Sequence, residues 1–273
     1  LMISAFAKGA QVLEESRLDA AERYREAALR ATSFVFTHLY VVSSDALYRR
    51  WREGERAVEG FLDDYAFFVQ ALIDVYEATF DSGHLDMALR LTSRMFELFE
   101  DKEHGGFYST TSGGGDLILR LKEDYDGAEP AGNSIAIMNL LRLAQYTGNG
   151  DLHDTAMDAL RAFALRLVEQ GPTLPQMLCA WLADLAPKRQ VIIAGLGAHV
   201  DVAAMVAEVR RRFLPETPVF VLGRDEDRER FMRWIPATAG MGEVEGRPAA
   251  YVCENFTCQL PVTSVTELAK FLD

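Results

Sequence analysis

A repeat with a period of 67 residues is the feature that most constrains the fold of this chain. Polar turns centred on a leucine open a second helix at Leu18, Leu85 and Leu152, which are 67 positions apart. The helices predicted before these turns are apolar nearly all round and span 1–13, 65–80 and 134–146. The helices predicted after them have one charged face and span 18–39, 85–99 and 152–168. This pattern is typical of an inner and an outer ring of helical hairpins, and it predicts an (α/α) toroid or solenoid.

The length of the repeat favours the toroid, because the common helical solenoids repeat every ~34–47 residues and leave little room for long loops. The connections here are long, at 41–64 and 100–133. Within them, 105–108 and 116–120 alternate like short strands of β-ribbons. A fourth apolar helix is predicted at 174–185 and ends before Pro187. We therefore expect a mainly α fold, a partial (α/α)6 six-hairpin toroid, over residues 1–187.

The periodicity changes after Pro187, where short apolar runs predict strands at 190–194, 218–222 and 249–253. A helix predicted at 200–213 connects the first two strands, which should therefore be parallel. Residues 188–273 thus form a small α/β unit. The run Gly195-Leu196-Gly197 lacks a third glycine at the spacing of a dinucleotide-binding turn, so we expect a tight turn and no cofactor.

Composition excludes several classes of function. The chain has 273 residues, 49% hydrophobic side chains and a net charge of −13, which favours a globular protein that binds neither nucleic acid nor an anionic membrane. There is no signal-peptide pattern and no apolar run long enough to span a membrane, so we expect a cytoplasmic protein. Cys253 and Cys258 are expected to be buried thiols, and no Cys or His pair with ligand spacing predicts a metal site.

The first candidate site residues are Asp63 and Asp64, just before the second apolar helix. Asp64 has an alternative role as the N-cap of that helix. An N-cap explains only one carboxylate of the pair, and because adjacent carboxylates repel, one of them should have a raised pKa, as a general acid requires. Tyr65 belongs to the same motif and is a candidate substrate-binding residue.

The second candidate motif, 121–134, enters the third apolar helix and is dense in polar groups. Its candidate catalytic residues are Asp126 and Glu129, and its candidate substrate-binding residues are Lys122, Glu123, Tyr125 and Asn133. Carboxylates at the centre of a ring suit protonation of a glycosidic or ring oxygen. The alternative is that the motif is a solvated acidic loop. Asn133 or Ser134 is the expected N-cap of the helix that follows. Between the two motifs, Arg49 and Trp51 can bind a carboxylate or stack on a sugar, or simply stack on each other.

Three runs carry a resemblance to a known family: FLDDYAFFVQALIDVYEATF at 61–80, DGAEPAGNSIA at 126–136 and CENFTCQLP at 253–261. They resemble the C-terminal two-thirds of the spermatogenesis-associated thioredoxin-like family. The resemblance implies a six-hairpin toroid of the kind shared by glycosidases and by N-acylglucosamine and cellobiose 2-epimerases. It also implies that this chain lacks the thioredoxin-like domain and the first hairpins of the family, and no Cys-x-x-Cys pair is present.

The leading functional hypothesis is therefore a carbohydrate-active enzyme or sugar-binding protein, glycoside hydrolase-like or epimerase-like. The competing hypothesis is a non-catalytic scaffold or redox-regulatory module that works with an absent thioredoxin-like domain. None of the five histidines is predicted at a mouth of the inner ring, which counts against epimerase chemistry. If the site is catalytic, Asp63 or Asp64 should face Asp126 or Glu129.

The expected ligand is a small carbohydrate. The open edge of the partial toroid, with Ile3, Phe6 and Val12 on its first helix, predicts a homo-oligomer or a missing N-terminal segment that covers it.

Overall fold

The computed structural model describes residues 1–112, 119–196, 199–255 and 257–273. The described chain is mainly α-helical, with two small sheets, which confirms a mainly α fold followed by a small α/β unit. The helices before the second sheet are α1 Met2–Leu13, α2 Leu18–Phe34, α3 Leu62–Thr79, α4 Gly83–Phe99, α5 Gly132–Thr147, α6 Gly150–Ala162, α7 Ala164–Gln170 and α8 Pro175–Leu185. A three-stranded ribbon formed by β1 Tyr40–Val41, β2 Ala46–Arg52 and β3 Glu55–Glu59 precedes α3.

The helices pair into hairpins, α1 with α2, α3 with α4 and α5 with α6. The first helices of the hairpins also contact one another in the order α1, α3, α5, α8, and we call these four the inner helices. α3 and α5 run in the same direction. At their N-terminal ends Leu62 of α3 packs against Gly132 of α5, and at their C-terminal ends the Tyr146 hydroxyl of α5 donates to Glu77 of α3. The expectation that the apolar helices lie side by side and parallel is therefore confirmed for α3 and α5.

Burial separates inner from outer helices as the repeat predicts. Most residues of α3 and α5 are buried, whereas α4 and α6 bury one face each. The first inner helix, α1, buries mainly small residues, because only one side of it has an inner neighbour. Val12 is 78% exposed, whereas Ile3 and Phe6 are half-buried against the end of α3.

Two predicted helices differ from the structure. The helix expected at 18–39 ends as an α-helix at Phe34 and continues as a π-helical turn, Val35–Leu39. The helix expected at 152–168 breaks at Phe163 into α6 and α7, and this break places the Phe163 ring in the core against Gly106.

The expected strand at 105–108 is also wrong, since it forms only an isolated bridge between Glu100 and Phe107. The Asn133 side chain bonds both the N–H and the carbonyl of Phe107 and so takes the place of a partner strand. Most of the strand expected at 116–120 lies outside the described residues, and its last two residues, 119 and 120, are not in a strand.

The second sheet contains β4 Arg189–Ala194, β5 Val219–Leu222, β6 Ala249–Glu254 and β7 Thr257–Cys258, in the order β5-β4-β6-β7. β4 and β5 are parallel, as predicted, and β6 is antiparallel to β4. Its helices are α9 Val200–Arg210, which is shorter than predicted, α10 Asp225–Trp234 and α11 Val265–Leu272. One face of the sheet, with Ile192 and Phe220, joins the core of the hairpins, and the other, with Val191 and Val221, packs on α9 and α11.

The expected tight turn after β4 includes Gly195, whose φ is +147° and whose missing side chain makes room for Val202 and Pro248. Gly197, the other glycine of that motif, lies outside the described residues.

The expectation of two buried thiols is wrong. Cys253 and Cys258 form a disulfide, because the β6–β7 hairpin pairs them directly across the two strands. Cys253 is buried and Cys258 is exposed, and Cys179 is an exposed free thiol. The cytoplasmic location stays a prediction.

Among the described residues, no helix combines the length and the apolar character that crossing a membrane requires.

Candidate functional site at the mouth of the inner helices

We call the N-terminal turns of α3 and α5, together with the loop 121–131, the mouth. Asp64 lies in the first turn of α3, three residues after Phe61, the N-cap position. Its carboxylate accepts a hydrogen bond from the Phe61 N–H at 2.8 Å and lies 3.1 Å from Arg49 Nε. Asp64 therefore caps the helix from its third position and not as the N-cap. Burial raises its pKa, and the Phe61 N–H and Arg49 oppose this shift.

Asp63, its neighbour, is half-buried, and within the described residues its carboxylate makes no hydrogen bond or ion pair. A Cβ at position 132 would collide with Asp63 Oδ1, so the carboxylate fits against the start of α5 only because residue 132 is glycine. Burial raises the pKa of Asp63, and the negative charges of Glu123, Asp64 and Glu129 raise it further, against Arg49. Asp63 thus has the electrostatic environment of a general acid.

Asp126 has the opposite environment. It is buried, its Oδ1 accepts the Ala131 N–H at 2.9 Å, and its Oδ2 accepts the N–H groups of Gln176 and Met177 at 2.8 and 3.2 Å. Gln176 and Met177 lie in the first turn of α8, whose own N-cap residue, Leu174, has no side-chain acceptor. Asp126 therefore caps α8 across the fold, and both its oxygens are occupied by backbone donors.

Asn133 is fully buried and holds the mouth loops together. In addition to its two bonds with Phe107, its amide donates to the Glu123 carbonyl at 2.9 Å. The Asn133 side-chain oxygen accepts one of these hydrogen bonds, and its NH2 group donates the other two. Asn133 thus orders the backbone that presents Glu123 to the mouth.

Lys122 is also engaged in structure. Its ammonium lies 2.7 Å from Asp101 and donates to the Gly105 carbonyl at 2.5 Å. Hydrogen bonds from Lys122 and Tyr108 hold the pKa of Asp101 well below its usual range. This arrangement fixes the loop that follows α4.

Tyr65 lies in the core, and its hydroxyl accepts the Leu47 N–H at 2.9 Å. Burial raises its pKa. Trp51 lies on β2 and stacks on His38, with ring centroids 4.5 Å apart. These contacts direct the Tyr65 hydroxyl and the Trp51 ring to other parts of the fold and not to the carboxylates of the mouth.

Arg49, on the same strand as Trp51, does reach the mouth, because it lies over the Phe61 ring at 4.5 Å and pairs with Asp64. Glu123, Tyr125 and Glu129 are exposed. Of the candidate residues, Arg49 thus contacts Asp64, and the charges of Arg49, Asp64, Glu123 and Glu129 act on Asp63.

A charged cluster that was not predicted from the sequence lies farther along the inner helices. Arg142 of α5 pairs with Asp74 and Glu77 of α3 at 2.8 and 2.7 Å, and Lys8 of α1 pairs with both acids. Burial would raise the pKa of Glu77, but the charges of Arg142 and Lys8 lower it. The signal in the sequence was the spacing of Asp63, Gln70, Asp74 and Glu77, which places them along one face of α3.

Within the described ranges, no group of three or more His, Cys, Asp or Glu side chains is arranged to hold a metal ion.

The fold and the mouth define a mainly helical protein of stacked hairpins with a carboxylate cluster where two inner helices begin. No known family profile matches the chain. Over its whole length it is 36% identical to the human and the rat spermatogenesis-associated protein 20 and covers 35% of each. It is 27% identical to an uncharacterized protein of Caenorhabditis elegans, of which it covers 37%. These similarities support the resemblance to the spermatogenesis-associated family.

The chain spans about a third of the length of these relatives. The resemblance to two-thirds of the family, expected from the motifs, therefore overstated the matched share.

Proposed function

We propose that this chain forms the acid-lined part of a carbohydrate-active enzyme or sugar-binding protein of the six-hairpin type. The observation that carries the proposal is Asp63, a half-buried carboxylate with a raised pKa, no partner among the described residues and further acids around it. Structural carboxylates such as Asp126 are occupied by donors, whereas a carboxylate that is left open and has a raised pKa suits acid catalysis.

In the enzyme form of this proposal, protonated Asp63 donates its proton to the glycosidic oxygen of the leaving sugar. Glu123 or Glu129, both exposed at the same mouth, either activates the water or attacks the anomeric carbon. If the glutamate activates the water, the glutamate takes the water proton, the hydroxyl joins the anomeric carbon, and proton exchange with solvent then resets both carboxyl groups. If the glutamate attacks the anomeric carbon, water later displaces it and Asp63 takes the proton of that water. Arg49 and the exposed edge of Phe61 give the mouth one cationic and one aromatic group to position the sugar.

The experiment is a calorimetric and hydrolytic screen of the whole chain against mono- and disaccharides. We expect Asp63→Asn to abolish hydrolysis, or to weaken binding at least about tenfold if the protein only binds sugar. Glu97→Gln, which changes an exposed acid of α4, is the matched control and should behave like the wild type. Equal activity of Asp63→Asn and the wild type toward a sugar that binds would contradict the proposal.

We also propose that the edges of the row of inner helices pack against further chain or a second copy. On α8, Trp181, Leu182 and Leu185 are exposed by 46–64%, and on α1, Val12 is exposed. Such exposed apolar faces usually mark interfaces. Light scattering tests self-association, and Leu182→Glu should dissociate a dimer. A wild type that stays monomeric at high concentration would contradict packing against a second copy.

The alternative function, a scaffold or redox-regulatory module, has one observation in its favour, the disulfide between Cys253 and Cys258 at the edge of the second sheet. A disulfide with one exposed sulfur can exchange with an external dithiol. Thiol labelling during reduction by thioredoxin tests it. Rapid, selective reduction with no sugar bound at the mouth would favour the alternative over the carbohydrate proposal.

A further inference from the structure

A crevice of about 820 Å³ lies far from the mouth, between the α1–α2 turn, the C-terminal end of α3 and α9. Much of its wall is apolar, formed by Val12, Leu18, Phe80, Val202, Ala203 and Val206. Its volume lies in the range of small-molecule sites, which are mostly apolar with a few placed polar groups. It shares no lining residue with the mouth and is therefore separate from the proposed sugar site.

Two arginines converge on this crevice and share one carboxylate. Glu14 accepts from Arg25 Nη2 at 2.7 Å through one oxygen and pairs with Arg210 through the other. Both arginines are largely buried, with side-chain exposures of 26% and 16%. Burial lowers the pKa of Arg210, the positive charge of Arg25 lowers it further, and the negative charges of Glu14 and Glu77 oppose both effects. Of these two carboxylates, only Glu14 lines the crevice and contacts both arginines.

The position of both guanidinium groups is fixed by backbone carbonyls at the end of α3. Arg25 Nε donates to the Ala78 carbonyl at 3.2 Å, and Arg210 Nη2 donates to the Glu77 carbonyl at 2.5 Å. These bonds hold the two groups on either side of Glu14. The remaining charged residues at the rim, Glu15 and Arg211, pair with each other. The pair of guanidiniums is thus a preformed receptor for a carboxylate, and Glu14 occupies it.

We propose that this crevice binds a small carboxylate with an apolar body, such as a medium-chain fatty acid. The ligand carboxylate takes the place of Glu14 between Arg25 and Arg210, and its chain lies along Phe80 and the apolar face of α9. Glu14 is 37% exposed and can turn out to solvent when it is displaced. In a chain with a net charge of −13, such a cationic pair at the end of an apolar crevice selects for an anionic head group.

The test is isothermal titration of the whole chain with decanoate, decanol and decyltrimethylammonium, all below their micellar concentrations. We expect decanoate to bind at least about tenfold more tightly than decanol, since charge-assisted hydrogen bonds to both arginines form only with the acid. The cationic probe should not bind. Equal affinities of decanoate and decanol would overturn the proposed role of the arginines.

Two variants sharpen the test. Glu14→Gln removes the internal competitor and should increase the affinity for decanoate several-fold without a matching change for decanol. Ala203→Phe fills the crevice from an exposed position on α9 and should abolish binding of both probes. Ala5→Phe, at an exposed alanine of α1 outside the crevice, is the control. Decanoate binding that survives Ala203→Phe in a folded protein would overturn the site itself.

Discussion

The charged side chains in the two halves of the inner helices differ in whether they have partners. At the mouth, Asp63 has a raised pKa and no partner among the described residues. Farther along α3, each carboxylate is paired, Asp74 and Glu77 with Arg142 and Lys8. A half-buried carboxylate without a partner costs free energy when it is ionised, and carboxylates with perturbed pKa values are concentrated at functional sites. We therefore expect the paired cluster to stabilise the fold, and Asp63 is the candidate for the proposed function.

Removal of Arg142 should have the largest effect on stability. Arg142→Met leaves Asp74, which is almost fully buried, with only Lys8 at 3.5 Å. Loss of one partner from a buried ion pair costs about 3–5 kcal/mol. Urea unfolding at pH 7 measures the loss. In the control, Arg30→Met removes an exposed pair with Glu26 on α2 and should cost less than about 0.5 kcal/mol. Similar losses in the two variants would show that the cluster does not stabilise the fold.

Acid should weaken the same cluster. The pKa of Glu77 in the folded protein lies below that of an unfolded glutamate, about 4.3, so the unfolded chain takes up a proton first. The stability that Glu77 contributes is therefore present above pH ~4.3 and is lost as the pH falls toward the folded-state pKa of about 2, in total about 3 kcal/mol, of which about 2 kcal/mol is lost by pH 3. In Arg142→Met the pKa of Glu77 is no longer lowered as far, so the gap between variant and wild type should narrow between pH 5 and 3. A constant gap would contradict this.

Asp126→Asn should have the next largest effect, because Asp126 accepts three backbone N–H groups. An asparagine keeps one acceptor oxygen and places an NH2 group against the other donors, which costs about 1–3 kcal/mol. Amide hydrogen exchange at Ala131, Gln176 and Met177 should accelerate. Glu129→Gln, on the same loop but exposed, should change stability by less than about 0.5 kcal/mol. Unchanged exchange at those three amides would show that Asp126 does not cap α8.

The contrast between Asp126 and Asp63 also shows what the sequence could and could not predict. The hairpins were visible because the inner helices are apolar on most sides, and the repeat of 67 residues follows from that burial. The strands β4 and β5 were visible as short apolar runs. Asp126 was not recognisable as a cap, since the helix it caps begins 49 residues later in the chain.

The same limit explains the other differences. Asn133 replaces a β-strand partner of Phe107 across 26 residues, and the pairing of Cys253 with Cys258 depends on the register of a two-residue strand. Local sequence patterns predict which helices and strands form. The contacts of Asp126, Asn133 and Cys253 instead involve residues that only the tertiary fold brings close to them. For that reason the four candidate catalytic acids, Asp63, Asp64, Asp126 and Glu129, could not be told apart in the sequence.

The smallest effect on stability, and the one that separates function from structure, is expected for Asp63→Asn. The pKa of Asp63 is raised in the folded protein, so the ionised side chain costs stability above that pKa, and this cost disappears as the pH falls and the side chain is protonated. Asparagine removes the charge and also a favourable interaction with the start of α3, worth about 0.3 kcal/mol. The balance should be a gain of a few tenths of a kcal/mol at pH 7 and none at pH ~3. Urea unfolding at both values measures it.

Asp64→Asn is the matched comparison for this last prediction. It removes a charge whose pKa burial raises, as at position 63, but it also weakens the partly exposed pair with Arg49, which is worth up to about 1 kcal/mol. Asp64→Asn should therefore be less favourable to stability at pH 7 than Asp63→Asn. This difference, together with a loss of sugar binding only in Asp63→Asn, would support a functional role of the open carboxylate. If Asp63→Asn instead destabilises the protein as much as Asp126→Asn, Asp63 has a structural role, and the difference between the two halves of the inner helices no longer points to a site.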